Sequence, residues 1–531
     1  MRDGDVQLLR PRVLAPLALC VLVAACTPAP LPALGEALFV VDTDMPVPRL
    51  VSRLRADTYA ADGTWIDSRD VSLPQAGDWP ASFSVYAPNG EGTVAATVRL
   101  RAYGEGLVRD YRGESYVSPP PPDLAPSDVP TVPAPDGTPR LLVGGVDQTP
   151  PTEPLPSLAI DQIVPIRLRY GTRASVRLVL AGACAGIMAD IEGGRTCAAG
   201  QLVTAAPPVL DVDLGLPAPS ALVGTFGVVP EPAVTPRPGD AGAGTPLYDE
   251  EVAVAGGPFV LGGLELADYG TSGGISIAST PLRLAVVSSF VVDRYEVTVA
   301  RWRDALARGF VPPAEPYAND APMPSSVDGL ATPFALCTYS TQPLTGSAAR
   351  ESYPVTCVTH AAAQAFCRFE GGDLLSEAEW EYVAGAWDRP AKTPLPWGTG
   401  EPSCMGVVYG RVDDPSVGSS DCYAEDQPVG PQPVTAAFAD LTATSASVAV
   451  MDLGGNVKEW TRDDYDPYDS GCWLEQPQTD PACSDPQAPT VALRGGGWVT
   501  SPAAMLTTLR NAAPRALYYN DVGFRCARGT P

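Results

Sequence analysis

Two stretches dense in proline, residues 118–156 and 207–246, divide this 531-residue chain into parts that one regular core cannot span. Proline fixes φ and removes a backbone donor, so the run Pro119-Pro120-Pro121-Pro122 supports neither a helix nor a central strand and reads as a stiff, extended connection. The parts between must fold around their own cores, and a length prior of about 150 residues per domain gives roughly two to four of them. The 51 glycines and 59 prolines stay below the share that marks low-complexity disorder, so real cores are expected.

Charge and histidine content remove whole classes of function. With 35 basic against 61 acidic residues, a formal charge of −26, the chain has no electrostatic attraction for nucleic-acid phosphates, and no nucleic-acid partner is expected. Its single histidine, His360, excludes every site built on two or more imidazoles, including HExxH zinc proteases and facial-triad iron oxygenases.

At the amino end, Arg10 and Arg12 precede an apolar stretch, residues 13–25, too short for a permanent spanning helix and ordered like an export signal. It closes on Val23-Ala24-Ala25-Cys26, which resembles the lipobox of bacterial lipoproteins. The resemblance implies that residues 1–25 are a signal peptide, that Cys26 is lipidated and anchors the chain to the membrane, and that residues 26–35 are a tether. Thr27 in place of an acidic residue resembles the pattern of outer-membrane sorting, so the chain is expected to face the periplasm or cell surface. Ten cysteines remain downstream, an even number that in an oxidising compartment favours disulfides over thiolate catalysis or metal binding. Sequence neighbours suggest Cys184–Cys197, Cys337–Cys357, Cys404–Cys422 and Cys472–Cys483, leaving Cys367 and Cys526; spacing alone does not establish this connectivity.

Residues 36–205 read as an all-β, immunoglobulin-like β-sandwich region with the proline-rich insertion at 118–156. In it Val94, Ala96, Val98 and Leu100 alternate with Thr93, Ala95, Thr97, Arg99 and Arg101, the pattern of a sheet with one face buried and its arginines in water. A Pro/Gly/Ala-rich linker, 206–249, leads to residues 250–531, where seven of the nine tryptophans and eight of the ten remaining cysteines mark a denser core. Helix signals appear there. Thr298 caps a segment that stops at Gly309, Thr359 caps one that stops at Gly371, and Ser376 with Glu379 forms a capping box ahead of Trp380. The surrounding segments are short and polar, so this half is α+β and loop-rich.

Eight landmarks in this half stand in the order of one family. They are Phe259-Val-Leu-Gly262, Phe290-Val-Val-Asp-Arg-Tyr-Glu-Val-Thr298, Pro354-Val-Thr-Cys357 running on to Cys367, Leu374-Leu-Ser-Glu-Ala-Glu-Trp-Glu-Tyr382, Pro396-Trp-Gly398, Met451-Asp-Leu-Gly-Gly-Asn-Val-Lys-Glu-Trp460, Leu493-Arg-Gly-Gly-Gly-Trp498 and Gly523-Phe524-Arg525-Cys526. Residues 250–531 thus resemble the formylglycine-generating enzyme, or sulfatase-modifying factor, family. The resemblance implies a C-type-lectin-like fold and a Cys367–Cys526 disulfide. Read for themselves, Gly454-Gly455-Asn456 suits a turn of positive φ that Glu459 and Trp460 anchor by a polar contact and a buried ring. Arg494-Gly495-Gly496-Gly497 suits a close backbone approach, with Arg494 available to a buried carboxylate such as Glu459.

Active members of this family resemble copper oxidases in which two cysteines, five residues apart, hold Cu(I) just after the Arg-Gly-Gly motif. Here Thr500 and Met505 stand at those positions. A hydroxyl is a poor ligand for Cu(I), and one thioether does not replace two thiolates. The family's iron-oxygenase branch needs three histidines. The expected function is therefore non-catalytic: a membrane-anchored lipoprotein whose old active-site groove, around Trp498, Thr500, Met505 and Arg510, binds a protein, peptide or carbohydrate. An oxidase or sulfatase-activating enzyme with a remodelled site and a passive envelope component are the alternatives. His360 is read as structural, and no catalytic residue or cofactor is expected. Copper is not expected and calcium is left open. The acidic run Asp463-Asp464-Tyr465-Asp466-Pro467-Tyr468-Asp469 lacks the EF-hand glycine and terminal Glu and reads as a solvated loop, and residues 405–411 after Pro-Trp-Gly lack the family's Asn/Asp ligands.

Overall fold

The structure, a computed structural model, describes residues 35–529 apart from 88–91, 114–138, 209–217, 229–234, 240–244, 264–278, 321–335, 417, 443–448, 475–477 and 486. The expected signal peptide, Cys26, the tether up to residue 34 and the first part of the proline-rich insertion lie outside the described residues.

In the amino half, strands Arg173–Leu180, Glu36–Thr43 and Ala81–Tyr86 form one sheet in that order, the first pair parallel and the second antiparallel. Strands Ile160–Arg169, Thr93–Tyr103, Arg53–Ala60 and Trp65–Ser72 form a second, antiparallel sheet. Phe39 and Val41 of the first meet Val98, Leu100 and Ile166 of the second in one core. The alternation read along 93–101 is present, but its arginine face is not in water: Arg99 is 3% and Arg101 2% exposed. The reason is a cover that local pattern does not reveal. Strand Thr152–Pro154 pairs with Val108–Asp110 and offers the Thr152 carbonyl to Arg55. The Cys184–Cys197 loop donates the Ala189 N–H to Asp161 and accepts the Ile163 N–H on Thr196. Beneath this cover the charges are matched, Arg99 on Asp161 at 2.6 Å, and Arg55 and Arg101 on Asp57 at 3.2 and 2.8 Å. The carboxyl end of the proline-rich insertion is thus part of the amino half.

The linker region also departs from a free spacer. Ser220 donates to Asp42, and the Gly224 and Phe226 amides donate to the carbonyls of Met45 and Asp44. Arg237 bridges Glu251 and Glu370 of the carboxyl half. Leu282 and Leu284 from that half complete the amino-half core, so the two halves are docked.

The carboxyl half has few helices and many strands, an α+β arrangement. One sheet orders Glu251–Val254, Phe290–Asp293, Cys526–Arg528 and Asp373–Leu374; another orders Arg510–Pro514, Thr490–Arg494, Lys458–Asp464 and Val522–Gly523. Helix α1, Val299–Ala307, starts on the Thr298 hydroxyl and ends before Gly309 at φ +98°. Helix α2, His360–Phe369, starts on Thr359 and ends before Gly371 at φ +86°. Helix α3, Glu377–Glu381, carries the Ser376–Glu379 capping box. These are the three helix starts the capping residues predict. All five disulfides form: the four sequence-neighbour pairs, and the Cys367–Cys526 pair implied by the family, which ties α2 to the strand Cys526–Arg528.

Candidate functional site

The turn before strand Lys458–Asp464 organises the centre of this half. Asn456 adopts φ +62°, accepts the Gln432 amide at 2.9 Å and donates to Glu296 at 2.7 Å. Glu459 accepts the Trp380 indole N–H at 2.8 Å, and Trp460 is buried with its N–H on the Val358 carbonyl. The glycines of the neighbouring motif are required by contact: a Cβ would lie 2.8 Å from the Leu453 carbonyl at Gly495, where φ is +78°, and 2.5 Å from that of Gly454 at Gly496. Gly523 lets its strand approach Val457, and Phe524 stacks edge-on against Trp302 and Phe366.

The expected Arg494–Glu459 pair is corrected. The two residues face each other across the strands, yet Arg494 binds Glu381 and Glu377 of α3, while Glu459 pairs with Arg525 at 2.6 Å. Trp380 separates them: its ring face carries the Arg494 guanidinium at 5.2 Å and its N–H edge holds Glu459. Arg510 grips Glu377 at 2.6 Å and stacks on Tyr468 at 3.9 Å.

Arg525 faces a concentration of acid that motif reading missed. Glu296, Asp440, Asp452 and Glu459 are all at most 1% exposed. Asp440 accepts the Gly454 and Gly455 amides, but neither oxygen of Asp452 has a hydrogen-bond partner. Burial, and then the neighbouring Glu459 carboxylate, push Glu296 well above the ordinary carboxylate range; burial, then Glu296 and Asp440, do the same to Asp452. Asp440 is pushed up to about 6, by burial first. Such a cluster needs protons or a cation to be stable. Glu296 and Asp452 lie inside quoted motifs and could have been singled out as buried acids; Asp440 comes from a loop with no pattern around it.

The four groove residues do not converge on an open surface. Trp498 is 3%, Met505 0% and Arg510 2% exposed; only Thr500 among them reaches solvent. Trp498 donates to the Asn520 carbonyl, Met505 lies in an apolar cluster with Tyr409, Leu506 and the Cys404–Cys422 disulfide, and the Thr500 hydroxyl closes a turn on Gly497. The donor set at 500 and 505 does not fit Cu(I), because its hydroxyl is committed to backbone and the five disulfides leave no thiolate among the ten cysteines from 184 to 526.

His360 is buried, with Nε2 2.8 Å from the Thr461 carbonyl and its ring edge-on to Trp460. Burial lowers its pKa from the ordinary 6.5. As the unfolded imidazole takes up a proton at higher pH than the folded one, this stabilising contribution is present above pH 6.5 and is lost as pH falls through the folded value. With one histidine in the chain, a single imidazole signal in an NMR titration should show a midpoint below 6.5; a midpoint at or above it refutes the buried neutral ring. The acidic run is not the solvated loop expected, because Asp463 and Asp464 end the strand Lys458–Asp464 and are buried, as is Tyr468. Asp463 accepts the Glu377 and Cys483 amides, and Asp464 holds the Asp485 amide and Arg515, so these side chains brace two segments.

Residues 240–530 match the model of the sulfatase-modifying factor enzyme 1-like domain. This chain belongs to that family. It is similar to hercynine oxygenase of Mycolicibacterium smegmatis, 27% identical over 321 residues, covering 57% of this chain and 61% of that one. The formylglycine-generating enzyme of Thermomonospora curvata is 28% identical over 305 residues, 52% of this chain and 92% of that one. The inactive C-alpha-formylglycine-generating enzyme 2 of Bos taurus is 28% identical over 193 residues, 35% and 54% of the two chains. The match thus spans less than two thirds of hercynine oxygenase.

Proposed function

We propose that this family member is an exported lipoprotein, anchored through Cys26 and sorted to the outer membrane, whose loop-rich, C-type-lectin-like domain binds a protein, peptide or carbohydrate instead of oxidising a substrate. One observation carries the reading: the positions that would hold Cu(I) present a turn-locked hydroxyl and a fully buried thioether. The lone histidine is tied to backbone, which disfavours an iron site as well. Similarity to an inactive relative is in keeping with this reading. The test incubates the purified protein and Cu(I) with a Cys-x-Pro-x-Arg peptide and weighs the product. Unchanged peptide is expected; conversion of its cysteine to the aldehyde overturns the proposal.

A further inference from the structure

The docking of the two halves leaves a cleft of about 290 Å³ lined from three parts of the chain. Arg49 comes from the amino half, Phe226 from the linker region, and Gly257, Tyr382, Trp387 and Asp388 from the carboxyl half. The Tyr382 hydroxyl donates to the Ala255 carbonyl at 3.0 Å and lies beside the Arg49 guanidinium. At Gly257 a Cβ would lie 3.1 Å from that hydroxyl, a tight approach, and 3.7 Å from Arg49 Nη2, an ordinary contact, so the backbone here borders both groups closely.

Arg49 and Asp388 both line the cleft, yet among the described residues neither has an ion-pair partner, and they do not pair with each other. The Trp387 indole N–H likewise has no hydrogen-bond partner among the described residues. Opposite charges that line one cleft without pairing, beside aromatic side chains, favour a ligand that carries both charges. A neutral ligand would displace water from two ions and return weaker contacts, and a simple anion would meet the repulsion of Asp388. A zwitterion meets both charges with charge-assisted hydrogen bonds. We infer that this cleft binds a free α-amino acid, with its carboxylate on Arg49, its ammonium group on Asp388 and its side chain against Phe226 and Trp387.

Because the lining comes from both halves, a bound amino acid bridges them and stabilises the docked arrangement by mass action. The inference does not depend on Thr500, Met505 or the carboxylate cluster. Its test presents the full-length protein in detergent with each of the twenty free L-amino acids, read by melting shift and calorimetry. At least one should bind with one-to-one stoichiometry, and its N-acetyl and amide derivatives should each bind roughly tenfold more weakly or worse. Arg49→Gln and Asp388→Asn should each weaken the parent by a similar factor. Asp388 is exposed, so its variant reports even if the loss of the Arg49–Tyr382 contact unsettles the fold. Failure of all twenty to bind, capped forms binding as well as the parent, or a neutral disaccharide binding as tightly would each overturn the inference.

Discussion

Replacing Arg525 by methionine is expected to destabilise the carboxyl half by about 3–5 kcal/mol, the cost of removing one partner from a buried ion pair. The side chain is fully buried, pairs with Glu459 at 2.6 Å and donates to the Asp293, Arg294 and Met451 carbonyls. Without it Glu459 retains the Trp380 N–H but no countercharge, in the company of Glu296, Asp440 and Asp452. Methionine keeps much of the volume, so the loss reads charge and hydrogen bonding rather than a cavity. Denaturant unfolding checks it, and Arg525→Met combined with Glu459→Gln should recover part of the loss, because the stranded charge is gone. A single-variant loss below about 1 kcal/mol would mean that the acids are neutralised without Arg525.

Removing the Cys367–Cys526 bridge with paired alanines is expected to cost about 5 kcal/mol in the chain-entropy account, against about 3 kcal/mol for Cys472–Cys483. The separations are 159 and 11 residues, and the longer loop is the one whose closure most restricts the unfolded chain. Cys367 and Cys526 also lie in the core formed by Trp302, Phe366 and Phe524, so alanine adds a small packing loss. Melting of both double variants under non-reducing conditions decides the matter; equal losses would show that loop closure is not the controlling quantity.

Local chemistry made part of this molecule legible without coordinates. The starts of α1, α2 and α3 were written in capping hydroxyls, since Thr298, Thr359 and Ser376 satisfy amides only three residues away. Asn456 announced positive φ because few residues tolerate it, and Gly495 and Gly496 announced a close backbone approach. The wet arginine face of strand Thr93–Tyr103 misled for the complementary reason: what covers it arrives from 152–154 and 189–196, and alternation reports only that two faces differ.

The amino-acid sequence by itself determined where α1, α2 and α3 begin and where α1 and α2 end, which family motifs stand in the carboxyl half, and that thiolates are missing from positions 500 and 505, because each of these depends on residue identity or short-range geometry. Only the tertiary structure decided that Arg494 turns to α3 and Arg525 to Glu459, that four carboxylates meet below the surface, and that Arg49 and Asp388 face one cleft. Ion pairs and cavities are set by contacts of a few ångströms between segments up to hundreds of residues apart, and side-chain periodicity does not encode which distant segment arrives.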